Sequence, residues 1–144
     1  MMQAAQWLVA FVAVVTAAGG LLADYFIPWS GRQHIKNPTW PPHAKFHNGQ
    51  TILMGLILGI LAIALLFAQP LGTNGLVLAA ILPSLYWVCL LAAPIFPGTA
   101  WVDPEFAPIT PRPMGLHPQQ LIGFVLLTIL LAAVALALLS GRSA

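Results

Sequence analysis

The sequence predicts an all-α integral membrane protein, built as a bundle of four membrane-spanning helices. Of its 144 residues, 60% are hydrophobic and only 6% are charged, whereas a soluble domain carries about a quarter of its residues as charges. The charges are also segregated, because none lies in residues 1–23, 46–102 or 113–141. Apolar stretches of this length are typical of membrane spans, so an ordinary soluble enzyme is excluded.

The first span is predicted over residues 5–27. No lysine or arginine precedes it, and its apolar run is longer than the core of a cleaved signal peptide, so we expect a retained helix. Trp7 and Trp29 bracket the run in the way that interfacial aromatic residues bracket a span. At about 1.5 Å per residue, the helix between them matches the thickness of the hydrocarbon core.

The other three spans follow from the remaining apolar runs. Residues 46–102 are too many for one crossing, and the turn-forming residues 69–75 divide them. This predicts spans over residues 43–68 and 74–96, and the last apolar run predicts a span over residues 118–139. The runs lack the alternating polarity of barrel strands, so they are predicted as helices of one four-span domain covering residues 1–144.

The two connections that join these spans lie on the same membrane face, because an even number of spans separates them. They and the adjoining helix ends carry all three acidic residues and all four histidines. We therefore expect one polar pocket at this face. Its candidate catalytic residues are Asp24, His43, His47, Glu105 and His117. The residues expected to contact a ligand are His34, Trp40, Asn48, Gln50, Trp87 and Asp103.

The start of the second span sets the direction of its polar residues. Prolines hold the approach extended and are tolerated in the first helical turn, so we expect this helix to begin near Pro42. His43, His47 and Gln50 then form one stripe. Small residues on the adjoining stripe favour close helix packing, which predicts that the histidines face the bundle.

Two kinds of chemistry fit these residues, and both stay open. Imidazoles four residues apart on a helix can bind one divalent metal ion, which makes His43 and His47 candidate ligands with a third ligand from elsewhere. Alternatively, the pocket binds a small lipophilic molecule and converts it by acid/base chemistry, with Asp24 exchanging protons at membrane depth. The predicted cofactor is either unknown or a divalent metal ion. The third functional class that stays open is a structural or accessory subunit of a membrane complex.

Two further features shape the predicted pocket, and one concerns the core. Pro83 is expected to kink the third span and to open space beside Trp87, whose ring would wall the ligand. The proline-rich second loop is expected to form a rigid lid that carries Asp103 and Glu105. Cys89, the only cysteine, is expected to be a small buried hydrophobic residue.

The partners follow from composition. The formal charge of +2 is too small for a nucleic-acid binder, so the expected partners are the lipid bilayer and a small lipophilic ligand, and a homo-oligomer is compatible with the sequence. The positive-inside rule places the two loops in the cytoplasm. The cations on the loop side are Arg32, Lys36, Lys45 and Arg112, against Arg142 on the other side.

A family resemblance rests on one block of sequence. Asp24 and His34, with Asn-Pro at residues 37–38 and Trp-Pro-Pro-His-Ala-Lys-Phe-His-Asn-Gly-Gln-Thr at residues 40–51, resemble the central motif of a family of small four-span membrane proteins from bacteria and fungi. The function of that family is unknown. The resemblance implies an integral multi-pass protein of the bacterial inner membrane.

The layout is also similar, more remotely, to that of the EXPERA-type proteins, which include the emopamil-binding sterol isomerases. Those proteins share an acidic residue near the end of the first helix, here Asp24, and a proline-flanked second helix. They also share a proline-rich loop before the last helix. Their second-loop Asp-Pro falls at Asn37-Pro38 in this sequence.

Overall fold

A computed structural model describes residues 1–68 and 71–141, and the regular secondary structure within these ranges is entirely helical. Helix α1 (Met2–Gly20) continues into a π-helical segment (Leu21–Phe26), and the short helix α2 (Pro28–Gly31) follows. The three long helices that complete the fold are α3 (Pro42–Phe67), α4 (Thr73–Ala92) and α5 (Pro118–Gly141). Two 3₁₀ turns are formed by Ala93–Ile95 and Pro113–Gly115.

Four helical segments are long and apolar enough to cross a membrane. They are Met2–Phe26, Pro42–Phe67, Thr73–Ile95 and Pro118–Gly141. Each begins and ends within a few residues of its predicted span, and the four pack against each other. The predicted fold class is therefore confirmed. The predicted turn over residues 69–75 includes Gln69 and Pro70, which lie outside the described residues, as does Arg142.

The starts of α3 and α5 show why these helices begin where they do. Pro41 is extended, with φ −65° and ψ 154°. Pro42 occupies the first turn of α3, where a backbone N–H has no partner within the helix, so the N–H that proline lacks costs no hydrogen bond. At α5 the backbone N–H of His117 donates to the side-chain Oε1 of Gln120 at 3.0 Å. Gln120 thereby satisfies one of the backbone donors that a helix start leaves free.

Helices α1 and α3 approach each other closely through small residues. Gly55 and Gly59 of α3 are buried, and a Cβ built on Gly59 would collide with the carbonyl oxygen of Ala13 and lie 2.7 Å from the Cβ of Ala17. Membrane helices associate mainly by packing, since lipid offers no hydrophobic drive between them. Glycine at position 59 is therefore required for the observed contact.

A buried hydrogen bond joins α4 to α1. The indole Nε1 of Trp87 donates to Oγ1 of Thr16 at 2.9 Å, and that hydroxyl donates to the carbonyl oxygen of Val12 at 2.8 Å. Both side chains are almost fully buried, so each polar group needs a partner within the protein. Thr16 therefore faces the other helices.

The two ends of the bundle differ in character. On the terminal side, Nε2 of Gln6 donates to the carbonyl oxygen of Leu66 at 2.9 Å, and Trp7 packs edge-on against Phe67. The start of α1 therefore meets the end of α3, and the two helices are antiparallel. The opposite end, called the loop side below, carries the connections over residues 27–41 and 96–117.

Cys89 corrects one expectation, because its side chain is exposed rather than buried. Helix α4 turns Leu76, Ala79, Pro83 and Trp87 into the bundle. A helix buries only one stripe of residues, and Cys89 lies outside that stripe. Its thiol contributes to the wall of a cavity at the loop side.

Candidate functional site

The site begins with an irregular turn at the end of the first span. Residues Leu21–Phe26 form a π-helical segment, and the N–H of Ile27 donates to the carbonyl oxygen of Leu22 at 2.8 Å. A π-helical turn holds one more residue than an α-helical turn and occurs often at functional sites. Asp24 lies in this segment, at the loop side of the membrane-spanning region.

Two side chains from different elements approach the carboxylate of Asp24. Nδ2 of Asn48, on α3, donates to its Oδ2 at 2.9 Å. Nδ1 of His34, from the first loop, lies 3.6 Å from its Oδ1. The Asp24 side chain is only 15% exposed, so these contacts compensate a carboxylate that has lost most of its water.

The partners of His34 define which of its nitrogens is free. Its Nδ1 lies 2.9 Å from the carbonyl oxygen of Ser30 as well as near Asp24. A carbonyl oxygen only accepts hydrogen bonds, so Nδ1 carries a proton in this arrangement. In the neutral ring the lone pair is then on Nε2, which is available to accept a proton.

The two loops are joined by a pair of hydrogen bonds. Nε1 of Trp40 donates to Oδ2 of Asp103 at 3.1 Å, and Nδ2 of Asn37 donates to Oε1 of Glu105 at 3.3 Å. Asn37 is buried, and its Oδ1 accepts from both the backbone N–H and the hydroxyl of Thr39. These bonds hold the second loop against the first.

Beneath these loops lies a cavity of about 470 Å³. This volume is within the usual range for sites that bind small molecules. No lysine or arginine is among the described residues that line it. Its polar lining comprises Asp24, Gln33, His34, Asp103 and Gln119, its aromatic lining comprises Trp40, Tyr86 and Trp101, and its remaining walls include Thr51, Met54, Cys89, Leu90 and Ala93.

The histidines of α3 do not face this cavity, which corrects their predicted direction. His43, His47 and Gln50 are all exposed on the outer surface of α3. Instead, Asn48 is turned inward to Asp24 and Ile52 is buried. At the membrane interface water and headgroups can solvate an imidazole, so nothing drives these rings inward. The histidine that approaches Asp24 is His34.

The other candidates lie in the second loop, in the packed core or in the cavity lining. Glu105 is exposed and contacts Asn37 rather than the cavity. His117 stacks on Trp101 with a centroid distance of 6.3 Å. Trp87 packs within the bundle, bonded to Thr16, and does not line the cavity. Trp40 and Asp103, both predicted as ligand contacts, do line it.

Several cavity residues escaped the sequence prediction. Gln33 and Gln119 are polar residues of the loop side, and the side chain of Gln119 also donates to the carbonyl oxygen of Trp101 at 3.0 Å. A polar residue in the first turn of an apolar span is a signal that could have identified Gln119. Met54 and Tyr86 offer no such signal, because their types are common on any membrane helix.

Four packed apolar helices with a polar loop side define the class of this molecule as a multi-pass integral membrane protein. The chain belongs to the DUF6640 family, a family of unknown function whose profile matches residues 8–139. No curated protein and no solved structure matches the chain significantly. The family match agrees with the resemblance to an uncharacterised family of membrane proteins. The similarity to EXPERA-type proteins and the bacterial inner membrane stay predictions.

Proposed function

We propose that this protein binds a small lipophilic molecule in the cavity beneath its loops, with the polar end of the molecule at Asp24 and His34. The observation that carries the proposal is the composition of the cavity lining. It combines two carboxylates and an imidazole with aromatic rings and with apolar residues of α3 and α4. Such a lining suits a molecule that has one polar end.

Access from the bilayer supports the lipophilic class of ligand. Thr51 and Met54 of α3 and Cys89 of α4 all line the cavity, and all three are exposed although they lie within membrane spans. Residues that are exposed at this depth border either lipid or the cavity itself. The ligand therefore enters between α3 and α4, without crossing the loop lid.

The charges of the lining favour a particular polar end. Asp24 and Asp103 are acceptors, and no cationic side chain of the described residues balances them in the lining. A phosphate or carboxylate head would meet like charge at short range. A hydroxyl or amine donates hydrogen bonds to carboxylates, and a cation also gains from the faces of Trp40, Tyr86 and Trp101.

Asp24 and His34 also supply the chemistry if the protein converts its ligand. Asp24 accepts a proton from the ligand or returns one to it, and the free Nε2 of His34 accepts or donates a second proton. Asn48 holds the carboxylate by its 2.9 Å hydrogen bond. This proton exchange is the acid/base reaction that we propose for the site.

The experiment uses a fluorescent amphiphile, an alkyl chain with an amine at one end and a dansyl group at the other. Binding to the purified protein in detergent is followed by energy transfer from tryptophan to dansyl. We expect saturable binding of the amine and much weaker binding of the matched carboxylate of equal chain length. Cys89→Trp fills the cavity and should abolish saturable binding of the amine.

Leu131→Trp is the matched control for this substitution. Leu131 is 72% exposed on α5, so its replacement adds the same indole on a surface remote from the loop lid. It should leave binding unchanged. Equal affinity of the amine in the Cys89→Trp and Leu131→Trp variants would show that the probe partitions into the micelle and would refute the proposed site.

A further inference from the structure

A second cluster of chemically active side chains lies outside the cavity, on the exposed surface of α3. The Nε2 atoms of His43 and His47 are 3.1 Å apart, and both side chains are exposed. Phe46 is stacked with the ring of His43 and packs edge-on against His47. These contacts hold the two imidazoles with their Nε2 atoms converging on one point.

The distance between the two nitrogens matches that between neighbouring ligands of one metal ion. Imidazole nitrogens lie about 2.0–2.1 Å from a bound Zn²⁺, so two nitrogens 3.1 Å apart subtend an angle of about 100° at the ion. That angle lies between the values of octahedral and tetrahedral coordination. We propose that His43 and His47 bind a divalent transition-metal ion through their Nε2 atoms.

Gln50 supports this assignment independently of the distance. Its Oε1 lies 3.2 Å from Nδ1 of His47, and an amide oxygen only accepts hydrogen bonds. Nδ1 of His47 therefore carries the ring proton and its Nε2 carries the lone pair. Histidines that bind metals commonly donate the other ring N–H to an oxygen acceptor in this way. Without metal, the Nε2–H of His43 donates to Nε2 of His47. When the ion binds, His43 changes tautomer, so its ring proton is on Nδ1 and the Nε2 lone pair binds the metal.

The donor set indicates the class of ion and the type of site. Two nitrogen ligands favour zinc, nickel or copper over magnesium or calcium, which prefer oxygen. Within residues 1–68 and 71–141, no three histidine, cysteine or acidic side chains are grouped around one point, so water or an external group completes the coordination. His43 and His47 lie near the N-terminus of α3, where the positive end of the helix dipole disfavours a cation and lowers the affinity of the site for the ion. The site is therefore open and exchangeable.

The test is equilibrium dialysis of the tag-free protein in detergent against Ni²⁺, with elemental analysis of the retained metal. We expect about one equivalent in the wild type and none in His43→Ala or His47→Ala, since either change leaves a single ligand. Gln50→Ala should weaken binding roughly 10-fold, because it removes only the acceptor for His47. His117→Ala, which changes a histidine stacked on Trp101, should retain the ion.

Two outcomes would overturn the site. The wild type could retain no more Ni²⁺ than the double variant His43→Ala/His47→Ala, or His117→Ala could lose the ion as well. In the first case the 3.1 Å separation is an N–H···N hydrogen bond alone. The double variant should still bind the dansyl amine, because neither histidine lines the cavity. The metal site and the lipophile site can therefore fail independently.

Discussion

The contact between α1 and α3 at Gly59 should be the most sensitive packing position in the bundle. Replacing Gly59 with alanine places a Cβ against the carbonyl oxygen of Ala13 and 2.7 Å from the Cβ of Ala17. The backbone N of Ala17 also lies 2.7 Å from this Cβ. It and the carbonyl oxygen of Ala13 belong to the backbone of α1, which cannot bend aside easily. The substitution is therefore expected to separate α1 from α3 rather than to be absorbed by a side-chain rotation.

The size of the effect follows from the distances. Carbon atoms pack best at about 3.5–4.0 Å, so the helices must move apart locally by about 1 Å. Overpacking of this kind lowers the free energy of unfolding by about 1–3 kcal/mol. Alanine in place of glycine inside a helix raises it by about 1 kcal/mol, because alanine has the higher helix propensity. The difference is a net loss of up to about 2 kcal/mol, which lowers the melting temperature by up to roughly 8 °C for a chain of this size.

The assay compares Gly59→Ala with Gly19→Ala by thermal unfolding in detergent, followed by size-exclusion chromatography. Gly19 lies in α1 with no atom within 4 Å of a built Cβ, so its replacement should keep or slightly raise the melting temperature. Separation of α1 from α3 should also weaken the contact of Asn48 with Asp24 and with it the binding of the dansyl amine. Equal melting temperatures for the two variants would refute the packing argument.

Three further predictions concern topology, core and site. Single cysteines at Gln33 and Thr110, in a cysteine-free background, should react with an impermeant thiol reagent from the same side of the membrane; labelling from opposite sides would rule out the bundle. Thr16→Val removes the acceptor of a buried indole and should cost roughly 0.6–1.7 kcal/mol in thermal unfolding, whereas Thr16→Ser should remain close to wild type. Asp24→Asn keeps the shape of the side chain and should weaken binding of the dansyl amine strongly, to a level that can still be measured, with little change in melting temperature. Adding His34→Ala should then cause no further loss, because the two residues act as one unit; strictly additive losses would contradict that unit.

The fold could be predicted from sequence because each membrane-spanning helix must match the thickness of the hydrocarbon core. Residues 46–102 contain no charge, and only a turn within them gives two helices of the required length. The starts at Pro42 and Pro118 were equally predictable, since proline restricts where a helix can begin. The π-helical segment around Asp24 was not, because no residue type specifies that geometry.

The site was predicted less completely than the fold, because the direction of each side chain depends on the rotation of its helix about the helix axis. Neighbouring helix residues point about 100° apart, so the step from His47 to Asn48 decides which side chain meets Asp24. The sequence placed both near the carboxylate, and the rotation of α3 depends on how Gly55 and Gly59 pack against α1. His34 could not be ranked above the α3 histidines, because its approach depends on how the first loop folds back to Ser30.

The bonds between the two loops also fix when the cavity can close during synthesis. Chains are made and inserted from the N-terminus, so Asp24, His34 and Asn48 can meet while the rest of the protein is still unmade. The lid needs Asp103, which binds Trp40 from a loop that follows α4. Gln119, at the start of α5, then holds that loop through the carbonyl of Trp101. A nascent chain therefore carries the polar residues of the site early, and the full set of bonds that holds the second loop forms only once α5 has been made.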